Sequence, residues 1–222
     1  MDDYKVESVF EYKGYKCVVV FQGSGHRCGY VGVKKDSCIY GKSYLDRLPI
    51  KRKHIENKPI GKRGIIPLLL ESMEDDESIS VGTFFDVHGG ITYSDKNGIY
   101  PIESELYWFG FDCAHYMDAK DYETALKYFE NKKATIMRLK ELDCKYQTHG
   151  EVRTQEYVEN ECRNLVDQII DLEEILKTPN NKIKKIKEQM CDDYCKYPSM
   201  TGFDIEDICK DCPLNKLEEG SN

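Results

Sequence analysis

Residues 5–33 hold three apolar, β-branched runs, KVESVFEYK, YKCVVVFQ and CGYVGV, each short and each parted from the next by glycine. Runs of that length and composition read as strands, so the first third of the chain is committed to a sheet. Lys13-Gly14 joins the first two runs as a hairpin. The loop Gly23-Ser24-Gly25-His26-Arg27 leads to the third, where Gly29 and Gly32 mark close backbone approach or a bulge. The strand pattern resumes at TFFDV, GGITYS and LYWFGFDC, with a turn signal at Asp95-Lys96-Asn97-Gly98.

The period then changes. Tyr122, Ala125, Leu126 and Phe129 recur at helical spacing, and ATIMRLKELDC predicts a second helix. Thr154 is placed to cap a long helix whose apolar face is Val158, Cys162, Leu165, Val166, Ile169 and Leu172, ending at Thr178-Pro179. The short basic helix NKIKKIKEQ follows. Between about Leu48 and Gly82 a basic block, an apolar IIPLLL and an acidic block interrupt the sheet. This stretch reads as a mobile, solvated insertion. The expectation is an α+β fold: a small antiparallel sheet with packed helices over residues 1–150, a long helix over 151–179 packed on it, and a cysteine-rich tail over 180–222.

In that tail Cys191, Cys195, Cys209 and Cys212 are spaced C-x3-C-x13-C-x2-C. Two close pairs of thiolates suit one tetrahedral zinc, and a closed four-cysteine site is structural. An iron–sulfur cluster is the alternative cofactor. Such a metal would let a short tail fold without a core of its own. The N-terminus MDDYKVESVF opens with acids and lacks the pattern of an export signal. No apolar run approaches the roughly 20 residues that cross a bilayer. The expectation is a cytoplasmic protein whose ten cysteines are thiols or metal ligands. A net charge of −8 gives no bulk attraction to nucleic acid or to an anionic membrane.

Three segments combine glycine with chemically able side chains. In the first, Ser24, His26 and Arg27 stand where loop amides and a guanidinium would receive an anion. In the second, His88 precedes Gly89 and Gly90, with Thr92 following. In the third, Asp112, His115 and Asp118 are three residues apart, so one helical turn would line them up as an imidazole–carboxylate pair or a metal site. Cys113 beside His88 would make a nucleophile pair. No P-loop, dinucleotide fingerprint, H-E-x-x-H or G-x-S-x-G is present.

The strings EYKGYKCVVVFQGSGHRCGYVGV, DVHGGITYS and YWFGFDCAHYMD resemble a family of uncharacterised phage and prophage proteins of Gram-positive hosts. The helix VRTQEYVENECRNLVDQI and the tail CDDYCKYP…CKDCPLNKL are similar to segments of such proteins. The resemblance carries no activity. It implies a phage accessory gene acting in the bacterial host's cytoplasm. It also makes His26, Arg27, His88, Gly89, Gly90, Thr92, Asp112 and His115 the natural site candidates. Met117 stands where the pattern leads one to expect glycine, and the 48–82 stretch replaces a short link. The leading expectation is a protein that binds and sequesters a small anionic or nucleotide-like ligand to counter a host pathway. The alternatives are a hydrolase using His88, His115 and Asp112, and a protein-binding inhibitor of a host defence component.

Overall fold

Lys13 and Gly14 both take left-handed backbone angles, φ 47° and 83°, the geometry that matches the twist of two flanking strands. They turn β1 (Tyr4–Tyr12) into β2 (Tyr15–Gln22), with Tyr12 opposite Tyr15. The computed structural model describes residues 4–50, 78–96, 98–145 and 150–194, with side chains up to Lys177. The chain divides into two units, Met1–Leu172 and Glu173–Asn222. The sheet and the candidate site belong to the first.

The architecture is α+β, with a five-stranded antiparallel sheet. β3 (Arg27–Val33) pairs with β2, and β7 (Tyr107–Asp112) pairs with β3. β6 (Tyr93–Asp95) closes the far edge, giving the order β1-β2-β3-β7-β6. Two small pairs flank the sheet: β4 (Arg47–Leu48) with β5 (Ile79–Ser80), and the parallel β8 (Asp118–Ala119) with β9 (Glu151–Val152). The helices are α1 (Val81–Phe84), α2 (Tyr122–Tyr128), α3 (Lys133–Lys145) and α4 (Gln155–Tyr194).

Both faces of the sheet are covered, which explains why β3 is buried along its whole length. On one face Phe21 packs on Ala125, Phe129 and Ile136 of the α2–α3 region. The same face receives α4. A Cβ on Gly29 would stand 2.4 Å from Phe111 and 2.8 Å from the Cys162 sulfur, so the strand carries glycine there to admit that helix. On the other face Val18, Val20, Cys28, Tyr30 and Trp108 meet Tyr4, Tyr93 and Tyr100, whose rings contact one another edge to face. Each large apolar side chain buried this way contributes about 1.5–3 kcal/mol.

The capping expectation at Thr154 holds: it accepts from Tyr157 N–H at 3.1 Å at the start of α4. Asp121, which the spacing did not single out, caps α2 by accepting from Thr124 N–H. Two expectations do not hold. TFFDV is not a sheet strand: Ser80 caps the short α1, and the chain then runs extended without a strand partner. Its partners are side chains of α4. Gln168 accepts from Asp86 N–H at 2.7 Å, while Asn164 and Gln168 donate to the Asp86 carbonyl at 2.9 and 3.0 Å. The helical backbone of α4 also continues through Thr178-Pro179 to Tyr194. Lysine and glutamate, which favour helix, outnumber breakers on the far side of the proline. Residues 51–77 of the insertion lie outside the described residues, but its two ends are joined by the β4–β5 pair.

Candidate functional site

The site is built where β7 ends and β8 begins. The intervening residues form no helix. Asp118 N–H donates to the His115 carbonyl at 3.0 Å, and Met117 takes φ 75° to close the turn. A non-glycine residue in that region costs about 1–2 kcal/mol. The alignment of Asp112, His115 and Asp118 on one helical face is thus replaced by a tight turn that folds Asp118 back under His115. The turn is fastened further when Glu151 N–H donates to the Met117 carbonyl at 3.0 Å.

Asp118 is the hub of an inner layer. Its side chain is 1% exposed. One oxygen accepts from His88 Nε2 at 2.7 Å and from His115 N–H at 2.9 Å; the other accepts from Arg153 Nε at 2.8 Å. Burial pushes the carboxyl up, but the bonds from Arg153, His88 and the His115 backbone outweigh it and hold the group below the usual carboxylate range. The ionised Asp118 accepts a hydrogen bond from His88 Nε2–H. With that hydrogen on Nε2, Nδ1 is left to accept from the Tyr157 hydroxyl, 3.0 Å away. Burial raises Tyr157 to about 12, so its proton stays in place near neutral pH. Glu161 accepts from His88 N–H at 3.2 Å. His88 therefore has both ring nitrogens and its amide engaged by the protein.

Arg27, read from the sequence as an anion receptor, is committed elsewhere. It is 7% exposed and bonds Glu7 through Nε at 2.7 Å and Nη2 at 3.1 Å. Its Nη1 reaches Asp121 at 3.0 Å and the Arg153 carbonyl at 2.9 Å. Glu7 is the extra residue where the β1–β2 register slips between Val6 and Ser8, a bulge that re-aims its side chain. Cys113 also fails as a nucleophile. It is 2% exposed, and burial raises its thiol far above the ordinary range, so the thiolate is disfavoured.

The remaining candidates form an outer rim. The His115 ring lies 5.7 Å from the His88 ring, centroid to centroid. Its Nε2 has no hydrogen-bond partner and sits 3.6 Å from Asp112 Oδ1. Gly89, at φ 70°, passes beneath it: a Cβ there would fall 1.7 Å from Nε2. Gly90 donates its amide to the Val87 carbonyl. Asp112 is held by Thr92 Oγ1, which donates at 2.9 Å, and by Ala114 N–H at 3.1 Å. His26 Nδ1 pairs with Ser24 Oγ at 3.0 Å. Its pKa is lowered first by burial and then by Lys120, against Asp112, while His115 adds to the lowering. The fold thus brings His26, His88, Asp112 and His115 within electrostatic or direct reach of one another, with Ser24 and Thr92 at the margin. The His26 and His115 rings are half-buried, and His88 is locked by Asp118 and Tyr157. Such a rim can donate and accept hydrogen bonds and exchange protons.

The sequence reading missed Tyr157, Glu161, Asn164 and Gln168 as partners of the 86–88 segment. Their spacing of four, three and four residues, a polar stripe beside the apolar face of α4, is the signal that would have found them. Among the described residues no group of three or more His, Cys, Asp or Glu is disposed to hold a metal ion. Among them no helix is long and apolar enough to cross a membrane. The side chains of Cys191, Cys195, Cys209 and Cys212 lie outside the described residues. No family model, curated protein or solved structure matches the chain.

Proposed function

We propose that this chain is a phage or prophage accessory protein that binds a small anionic, nucleotide-like ligand at the rim of Ser24, His26, Thr92, Asp112 and His115, and so counters a host pathway in the bacterial cytoplasm. The observation that carries the reading is the unpartnered Nε2 of His115. A polar atom buried without a partner costs about 1–3 kcal/mol, and a ligand acceptor or donor at the rim would recover it. With Arg27 committed to Glu7 and Asp121, the positive charge for an anionic group comes from Lys120, beside His26. His88 and Asp118 shape the rim from behind.

Calorimetry of the full chain with linear and cyclic nucleotides tests this. Binding that is lost in His115→Gln with the fold intact supports it. An absence of heat and of thermal stabilisation for every nucleotide overturns it.

A second reading rests on the 3.6 Å approach of Asp112 to His115: a hydrolase in which the carboxylate orients the imidazole as a general base. It requires turnover of a phosphodiester or amide substrate that disappears in His115→Gln. We further propose that the four tail cysteines hold one structural zinc. Native against denaturing mass spectra would show an excess of about 65 Da for one zinc; equal masses in metal-replete protein would remove the claim.

A further inference from the structure

The turn between His115 and Asp118 is held with more force than its own contacts justify. Asp118 fixes the His115 amide, Arg153 and His88 fix Asp118, and Glu151 fixes the Met117 carbonyl. Gly150 packs so closely that a Cβ on it would lie 2.8 Å from the Met117 carbonyl oxygen and the Asp118 carbonyl carbon. Met117 bears a left-handed backbone angle. Strain of this kind persists only where the surroundings over-determine it, and it clusters at ligand clamps. Yet the two side chains at the tip bury little: Tyr116 is 95% exposed and Met117 51%. Tyr116 stands next in the chain to His115, whose Nε2 is unpartnered.

We infer that Tyr116 is the specificity residue of this site, an exposed ring on a firmly held turn, on which the planar base of a nucleotide stacks while its phosphate meets His115, His26 and Lys120. The inference rests on the ligand-binding reading above and deepens it. A rigid aromatic side chain supplies contact area with little rotamer entropy to lose. Base–aromatic stacking tolerates any base, because each has a π face. The platform therefore selects for the presence of a base rather than for its identity. Sugar phosphates, which have none, would bind through the imidazoles and Lys120 alone.

The test compares nucleoside monophosphates, linear and cyclic, with ribose 5-phosphate, by calorimetry on the full chain. Wild type should bind at least one nucleotide about tenfold or more tightly than ribose 5-phosphate. Tyr116→Ala should bring the nucleotide down to the ribose 5-phosphate level, and Tyr116→Phe should restore it. Because the ring is exposed, thermal unfolding of the alanine variant should be unchanged. Nucleotide affinity that survives Tyr116→Ala overturns the platform and leaves the site standing. Equal binding of nucleotide and ribose 5-phosphate by wild type does the same. No binding of either class by wild type overturns the site and the platform together.

Discussion

His88 and His115 lie side by side, yet they belong to regions of opposite character. Both ring nitrogens and the amide of His88 meet a partner: Asp118, Tyr157 and Glu161 close on them, and the Glu7–Arg27–Asp121 network continues the pattern. Around His115 a ring nitrogen is left without a partner, and Ser24, Thr92 and Tyr116 are exposed. The same residue types thus serve two purposes. A buried, satisfied polar network fixes one arrangement of backbone, whereas the rim with one unpartnered nitrogen is where we propose a ligand binds.

This contrast can be broken by cutting one layer and reading both. The largest effect is expected for Arg27→Ala, which strands the Glu7 carboxylate at 2% exposure. Removing one partner of a buried pair costs about 3–5 kcal/mol, so the urea midpoint should fall steeply; a midpoint near wild type would show that the inner layer is not what holds the fold. Gly89→Ala comes next. It forces a left-handed alanine, about 1–2 kcal/mol, and drives a methyl into His115, with overpacking adding about 1–3 kcal/mol. Chemical unfolding should register the loss, and the His115 ring resonances should shift while those of Trp108 stay in place.

Acid should separate the layers in order. His26 has a folded pKa below its unfolded value of about 6.5, so the unfolded chain binds more protons and stability declines as pH falls below that value. Asp118 and Asp121 are also depressed. Their contribution is present above the ordinary carboxylate range of about 3.9 and is lost only as pH drops through the folded values. A melting temperature followed from pH 8 to 3 should therefore fall in two stages. A single stage confined to the carboxylate range would remove His26 from the account. Tyr157→Phe, which deletes one hydrogen bond to His88, should cost about 1 kcal/mol in the same denaturation assay. Tyr116→Ala should change stability by no more than about 0.5 kcal/mol, with any effect confined to ligand binding.

Periodicity made much of the fold legible. The hairpin at Lys13-Gly14, the strands containing Tyr30 and Trp108, the helix of Tyr122 and Ala125, and the helix capped by Thr154 all follow from turn residues, spacing and local capping chemistry. Partnerships across long stretches of chain were not legible. Arg27 meets Asp121 across 94 residues, and Asp86 meets Gln168 across 82. Glu7 reaches Arg27 only because a bulge displaces it. Local pattern says that an arginine or a histidine is present; the long-range register decides whether its donors are already occupied. That is why His115 stayed open as a site residue and Arg27 did not. Met117 shows the reverse case, a residue unsuited to its backbone angle that the tertiary bonds of Asp118 and Glu151 hold in place.

The β4–β5 pair has a consequence for how such a chain can diversify. Arg47 opposite Ser80 and Leu48 opposite Ile79 bring the two ends of a long excursion together, and Arg47 adds bonds to the Ser78 hydroxyl and carbonyl. A segment anchored at two neighbouring points behaves as a cartridge in a socket. Doubling the length of such a loop costs only about 0.6 kcal/mol, so the socket is nearly indifferent to what it carries. A change in the length of that segment is therefore expected to leave the sheet and the rim in place.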